Sequence, residues 1–315
     1  MSAYRAPWWL PGGHLQTVYA VLAPAPRVPW RRERIETPDG DFVDLDWVST
    51  STPDDAPVVV VLHGLEGSST SHYAIGLLRH AKAQGWRAGV LNFRSCSGEP
   101  NRLPRFYHSG DTADLDAVVR HLLRSDPARR LGLVGVSLGG NVLLKWLGER
   151  GAAAAQVVRR AAAVSAPLDL AAAGHALDRG VNRRLYTRVF LASLKAKVSA
   201  KIALRHVTLE KGRLSRVRTL REFDDLFTAP LHGFRDADDY WTRASSASWL
   251  EHIRVPTLVL NARNDPFLPR AALESATRKV SRDVVLEFPA SGGHAGFPGR
   301  GQWLARRVIE FLSQP

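Results

Sequence analysis

The 315-residue chain has one cysteine, Cys96, and one methionine, Met1. A single thiol cannot close an internal disulfide, so a disulfide scaffold is excluded and a reducing compartment is expected. Lysine is also scarce, with 7 Lys against 36 Arg. No stretch approaches the roughly 18 consecutive apolar residues that a membrane-spanning helix needs. The first eleven residues are broken by Pro7 and Pro11 and lack the apolar core of a secretory signal. The expectation from these absences is a cytoplasmic protein, with peripheral membrane contact as a variant.

What is present narrows the class further. Hydrophobic residues make up 45% of the chain, too many for a disordered protein and enough for a substantial core. Lys and Arg total 43 against 30 Asp and Glu, a net charge of +13. Such an excess is compatible with nucleic acid, an anionic membrane, an acidic substrate or an arginine-rich genome.

Five prolines between Pro7 and Pro29 mark residues 1–34 as an irregular arm, expected to pack its Trp8, Trp9 and Trp30 onto the body. A hairpin over Arg34–Val48 turns at Pro38-Asp39-Gly40-Asp41. The run Val58-Val59-Val60-Val61-Leu62 reads as a strand covered on both faces. Helices over Tyr73–Gln84, Thr112–Arg124 and Leu138–Glu149 then alternate with strands Arg87–Asn92, Leu131–Gly135 and Ala161–Val164. The rhythm stops near Pro167 and resumes with strand Thr257–Leu260, helix Arg270–Lys279, strand Val284–Phe288 and helix Trp303–Leu312. Alternation of this kind predicts an α/β fold with a mostly parallel sheet flanked by helices. The division expected is an arm (1–34), a core (35–166 and 253–315) and a helical cap inserted at 167–252.

The strongest local motif is Gly135-Val136-Ser137-Leu138-Gly139, which falls between a buried strand and a helix. In G-x-S-x-G the serine occupies a strained turn, and Gly135 and Gly139 leave room for it. Serine needs a base, and the base needs an orienting acid, in the chain order Ser, Asp or Glu, His. Asp265, after strand 257–260, and His294, after strand 284–288, meet that order. Both sit at C-terminal strand ends, where open α/β sheets bind ligands. His63-Gly64-Leu65-Glu66-Gly67 follows the valine strand and offers the Leu65 amide beside that of Leu138 as an oxyanion hole. His63 is expected to fix this loop, with Glu66 fixing it too or lining the pocket. Cys96 is not expected to be a nucleophile, and His108 and Asp114 are expected to cap and pack a helix start. Metal-ligand spacing of histidines, G-x-G-x-x-G and Walker-type loops are missing, so no cofactor and no metal are expected.

These residues resemble the YheT-like branch of the α/β-hydrolase superfamily of serine esterases. The resemblance runs through Gly13-His14-Leu15-Gln16-Thr17, His63 to Ser69, Asn92 to Gly98 and Tyr107-His108-Ser109-Gly110. It continues through Gly135 to Asn141, Arg221-Glu222-Phe223-Asp224, Asn264-Asp265-Pro266 and Gly292-Gly293-His294. It implies an α/β-hydrolase fold and a triad of Ser137, Asp265 and His294. The arm reads Gly-Gly-His where relatives often have Asn-Pro-His, a departure expected to lie away from the triad.

The charge concentrates in residues 178–221, with 13 Lys and Arg against Asp178 and Glu210. Leu185, Val189, Leu191, Leu194, Val198 and Ile202 recur there at roughly helical spacing, so an amphipathic helix is expected over the site. The basic cap is either a solvated face or a contact for anionic membrane; nucleic acid is not expected, for lack of a binding module. The partner expected is a small ester or lipid substrate. The function expected is a serine carboxylesterase acting on short- to medium-chain carboxylic or glycerolipid esters through an acyl-enzyme on Ser137. An acyltransferase using the same triad, or a phospholipase or lysophospholipase at anionic membranes, is the alternative.

Overall fold

A computed structural model describes residues 4–314, apart from 25, 27, 49–51, 54, 125, 127, 128, 205, 206, 208, 209, 211 and 300. Arg205 and Lys211 of the basic segment, like the first three residues of the arm, lie outside the described residues. Eight strands form one sheet in the order β1-β2-β4-β3-β5-β6-β7-β8. They are β1 (Trp30–Glu36), β2 (Phe42–Val48), β3 (Val58–Leu62), β4 (Arg87–Asn92), β5 (Leu131–Val136), β6 (Val158–Val164), β7 (Thr257–Leu260) and β8 (Val284–Glu287). β1 and β2 form an antiparallel hairpin, and β2 runs antiparallel to β4. All pairs from β4 to β8 are parallel.

The valine run of β3 serves both faces, as the period of 2 requires. Val58, Val60 and Leu62 join one core layer with Leu131, Leu133 and Leu143, whereas Val59 and Val61 join the other with Val134, Leu258 and Val308. Helices α2 (His72–Ala83), α3 (Thr112–Arg124) and α4 (Leu138–Arg150) connect these strands. Between β6 and β7, adjacent in the sheet, the chain leaves for a group of helices that includes Leu170–Leu177, Arg188–Ala203 and Ala237–Ala244.

Several local expectations are corrected. The arm is not irregular throughout: Gly12–Leu22 forms helix α1, because the proline-free stretch between Pro11 and Pro24 is long enough for three turns. β1 also starts at Trp30, inside the stretch read as arm. The arm docks through Tyr4, Leu10, Gln16, Thr17 and Ala20, all buried, while its tryptophans face outward, Trp8 being 91% and Trp9 50% exposed. On the cap, a π-helical turn over Arg183–Thr187 precedes the helix Arg188–Ala203. The wider turn shifts the apolar stripe, so Tyr186, Leu191 and Val198 are buried while Leu185 and Val189 are exposed. The helix from Arg270 stops at Ala276, three residues short of the expected end.

Candidate active site

Ser137 alone makes the turn from β5 to α4. Its φ of 54° and ψ of −122° fall where non-glycine residues are rarely found, so the surrounding structure must hold it there. A Cβ at position 135 would come within 2.3 Å of the Gly139 carbonyl oxygen, and one at 139 within 2.5 Å of the Leu62 carbonyl oxygen. Both positions therefore exclude a side chain. The turn is tied to β6 by the Ser137 N–H, which donates to the Val164 carbonyl at 2.8 Å.

Ser137, Asp265 and His294 come together. His294 Nε2 lies 2.8 Å from Ser137 Oγ, and Nδ1 lies 2.9 Å from Asp265 Oδ2. The Asp265 carboxylate can only accept, so the imidazole proton sits on Nδ1 and Nε2 faces the serine hydroxyl as an acceptor. Asp265 Oδ1 accepts from the Phe267 amide at 2.9 Å, and the Phe267 ring stacks on His294 at 4.0 Å. Orientation of the imidazole thus comes from a carboxylate at one edge and an aromatic face above it.

The His63–Gly67 loop approaches Ser137 from β3, with the Gly64 backbone so close that a Cβ there would lie 3.0 Å from Ser137 Cβ. His63 is buried, and burial lowers its pKa to about 3, so it is neutral. Its Nε2 accepts from the Phe93 amide at 3.0 Å, which leaves Nδ1–H to donate to the Gly64 carbonyl at 2.7 Å. Tyr73 OH accepts the Gly64 N–H and Tyr107 OH accepts the Glu66 N–H, each at 2.8 Å. Leu65, between them, and Leu138 keep amides with no acceptor among the described residues, and both residues line the pocket that contains Ser137.

Glu66, at a φ of 56°, joins this loop to the cap. Its Oε1 accepts from Tyr107 OH and from Lys197 Nζ, both at 2.8 Å, and Oε2 accepts from Ser193 Oγ. Lys197 Nζ also lies 3.0 Å from Cys96 Sγ. Burial pushes the Cys96 thiol up to about 11, which argues against a thiolate nucleophile. Asp114 pairs with buried Arg94, as a packing residue would.

Gln16 and Thr17, to which composition and spacing give no role, support the site. Gln16 Oε1 on α1 accepts from the Gly292 amide at 2.8 Å and from Asn264 Nδ2 at 3.0 Å. Thr17 Oγ1 accepts the His294 N–H at 2.8 Å and donates to the Gly13 carbonyl at 2.7 Å. The arm motif is thus not remote from the triad, as expected, but braces the loops of both its acid and its base. Position 13 tolerates no side chain, since a Cβ would lie 1.9 Å from the Asn264 carbonyl oxygen. No local pattern gives this motif a role, because the contacts that explain it span more than 240 residues of chain.

The pocket above the triad is lined mainly by apolar side chains from the cap, among them Leu170, Leu177, Phe190, Phe223 and Phe227, together with Phe267. Among the described residues no group of three or more His, Cys, Asp or Glu could hold a metal ion, and no helix is long and apolar enough to cross a membrane.

A strained serine turn, an acid and a base at strand ends, and a helical insertion between β6 and β7 form one class of site. The family model described as the alpha/beta hydrolase fold matches residues 57–299, and the chain belongs to that family, as an esterase- and lipase-type α/β-hydrolase. YheT of Escherichia coli (strain K12), provisionally named an esterase, is 40% identical over 291 residues, 89% of this chain and 84% of that protein. This likeness sets the chain in the YheT-like branch. Phospholipase ABHD3 of Mus musculus is 34% identical over 284 residues, 86% of this chain and 67% of its own length. Among solved structures, the Pyrococcus furiosus esterase Pf2001 matches with a TM-score of 0.59 at 19% identity, over 90% of this chain and 92% of that one, a likeness of fold.

Proposed function

We propose that the protein is a serine carboxylesterase that hydrolyses short- to medium-chain carboxylic or glycerolipid esters through an acyl-enzyme on Ser137. One observation carries this reading: the continuous hydrogen-bonded series Ser137–His294–Asp265, whose Ser137 and His294 line a single, largely apolar pocket. Ser137 Oγ attacks the ester carbonyl while His294 Nε2 takes its proton, and Asp265 stabilises the imidazolium that results. The Leu65 and Leu138 amides donate to the tetrahedral oxyanion, each worth about 3 kcal/mol in the transition state. His294 then protonates the departing alcohol, and water activated by the same imidazole releases the acid.

Support for a lipid substrate at an anionic membrane comes from exposed apolar residues on the arm and the cap. Trp8, Trp9, Leu15, Tyr19, Val21 and Leu22 of the arm are exposed, as are Val181, Leu185 and Val189 of the cap. The His14 and Tyr186 rings stack at 5.8 Å and join the two groups. Exposed Arg179, Arg184 and Arg188 accompany the cap residues, a combination suited to interfacial binding.

Ser137→Ala is expected to lower turnover of p-nitrophenyl butyrate by at least about 1,000-fold and to abolish labelling by a fluorophosphonate, with the fold retained. Labelling of the alanine variant at the wild-type rate would refute the assignment.

A further inference from the structure

The pocket that holds Ser137 and His294 also contains polar groups with no part in the triad. His108 enters from the core side and Asp224, Thr228 and His232 from the cap side. The His108 and His232 rings meet edge to face at 4.7 Å, and His232 Nδ1 lies 2.8 Å from the Thr228 carbonyl. Thr228, one turn beyond Asp224, hydrogen-bonds its carboxyl, whose Oδ2 accepts from Trp241 Nε1 at 2.8 Å. Successive contacts thus link the four residues in a largely apolar pocket, whose lining also includes Glu66, Ser109, Lys197 and Tyr240.

Two of the four retain binding capacity. His108 Nδ1 accepts from the Gly110 amide at 3.1 Å. Burial, with His232, Arg105 and Lys145 acting in the same direction, holds the His108 pKa well below its ordinary value, so the ring is neutral with its proton on Nε2. That Nε2–H has no acceptor among the described residues. Burial also pushes the Asp224 carboxyl up to about 7, with Asp178 and Asp225 adding to the rise and the Thr228 and Trp241 hydrogen bonds opposing it. Asp224 closes the Arg221-Glu222-Phe223-Asp224 motif, which the catalytic reading leaves without a role.

We propose that Asp224 and His108 bind a hydroxyl group of the substrate, its O–H donating to Asp224 and its oxygen accepting from His108 Nε2–H. The proposal rests on the esterase reading and adds to it that one arm of the ester ends in a polar, uncharged group. A hydroxyl satisfies a donor and an acceptor together, as this pair requires. A trimethylammonium group would satisfy the carboxylate alone and leave the His108 N–H without an acceptor, so the donor and acceptor complement favours the alcohol.

The hydroxyl can reside on either side of the ester, and paired substrates separate the two sources. Glyceryl monobutyrate against propyl butyrate tests the alcohol side, and methyl 8-hydroxyoctanoate against methyl octanoate tests the acyl side. Wild-type protein is expected to favour the hydroxyl-bearing member of one pair by about 10-fold in kcat/KM. Asp224→Leu should remove that preference, whereas the neutral isostere in Asp224→Asn should keep it. His108→Asn, which can still accept from Gly110 but lacks the Nε2 donor, should reduce it. Ratios near unity for wild type in both pairs overturn the proposal. A preference in Asp224→Asn as low as that in Asp224→Leu also overturns it, because it marks a cation site. Should Asp224→Leu fail to fold, an unchanged preference in His108→Asn overturns it. If wild type hydrolyses none of the four esters, the esterase reading fails instead, and calorimetry decides the site. Tighter binding of 1-O-octylglycerol than of methyl octyl ether would then support it, and equal binding would overturn it.

Discussion

Arg94, in the core, is 2% exposed and meets three carboxylates, Asp39, Asp41 and Asp114, whereas Arg188, on the cap, is exposed and meets none among the described residues. The contrast extends to their neighbours. Arg32 and Arg34 reach across the β1–β2 hairpin to Asp46 and Asp44, and Arg102 pairs with Glu36. On the cap, Arg179, Arg184, Arg213 and Arg216 are likewise exposed without an ion pair among the described residues. Identical side chains thus do opposite work. In the core an arginine is part of the architecture, because a buried charge is tolerated only with partners. On the cap, Arg221, Arg235 and Arg243 pair with Asp238, Asp236 and Asp239, but the five named above remain available to something outside the chain.

The comparison breaks most visibly at Arg94. Arg94→Met leaves Asp41 and Asp114 buried without their cation, so urea unfolding should show a loss of about 3–5 kcal/mol. Arg188→Met should stay within about 0.5 kcal/mol of wild type in the same measurement. Equal losses at both positions would show that the cap arginine is structural after all.

A smaller effect should appear only in the presence of lipid. Replacing Arg179, Arg184 and Arg188 together by Gln should leave the urea midpoint unchanged. Partitioning onto phosphatidylserine-containing vesicles should fall by about 100-fold, given about 1 kcal/mol for each basic residue at the surface. Flotation on phosphatidylcholine vesicles supplies the control, and unaltered partitioning on both would make the cap charge compositional.

The smallest change belongs to the seam between the two regions. Glu66 holds the loop that carries the Leu65 amide, and Lys197 and Ser193 hold Glu66 from the cap. Glu66→Gln weakens the grip of Lys197 without emptying the position. It is expected to lower kcat about 10-fold with little change in KM, because the amide shifts relative to the oxyanion and not to the ground-state ester. An equal rise in KM would point instead to a role in holding substrate.

Much of the fold was legible because it is written in local patterns. Strands β4 and β7 and helix α3 have the ends that their hydrophobic periodicity and turn residues predict. Ser137, Asp265 and His294 could be named because each sits in a short motif at a strand end. Other features depend on contacts between distant segments and left no local trace. Trp8 and Trp9 are apolar enough to suggest burial, yet they are exposed in the turn before α1, while Gln16 and Thr17 of that helix point inward to the loops of His294 and Asp265. Leu185 and Val189 fit a helical stripe on paper, but one π-helical turn carries them out of register.

The sequence by itself determined the layering and which residues could form the site: a serine turn that only glycine neighbours permit, an aspartate and a histidine in a fixed order, and a β-branched run that must be covered on both faces. It also determined how much charge the chain carries. Only the tertiary structure decided where that charge is neutralised, since pairing needs carboxylates within a few ångströms and those come from segments far apart in the chain. The same reason applies to the brace from α1, the Glu66 link to the cap, and the placing of His108 and Asp224 in one pocket. Each joins residues whose types are common and whose significance comes from proximity alone.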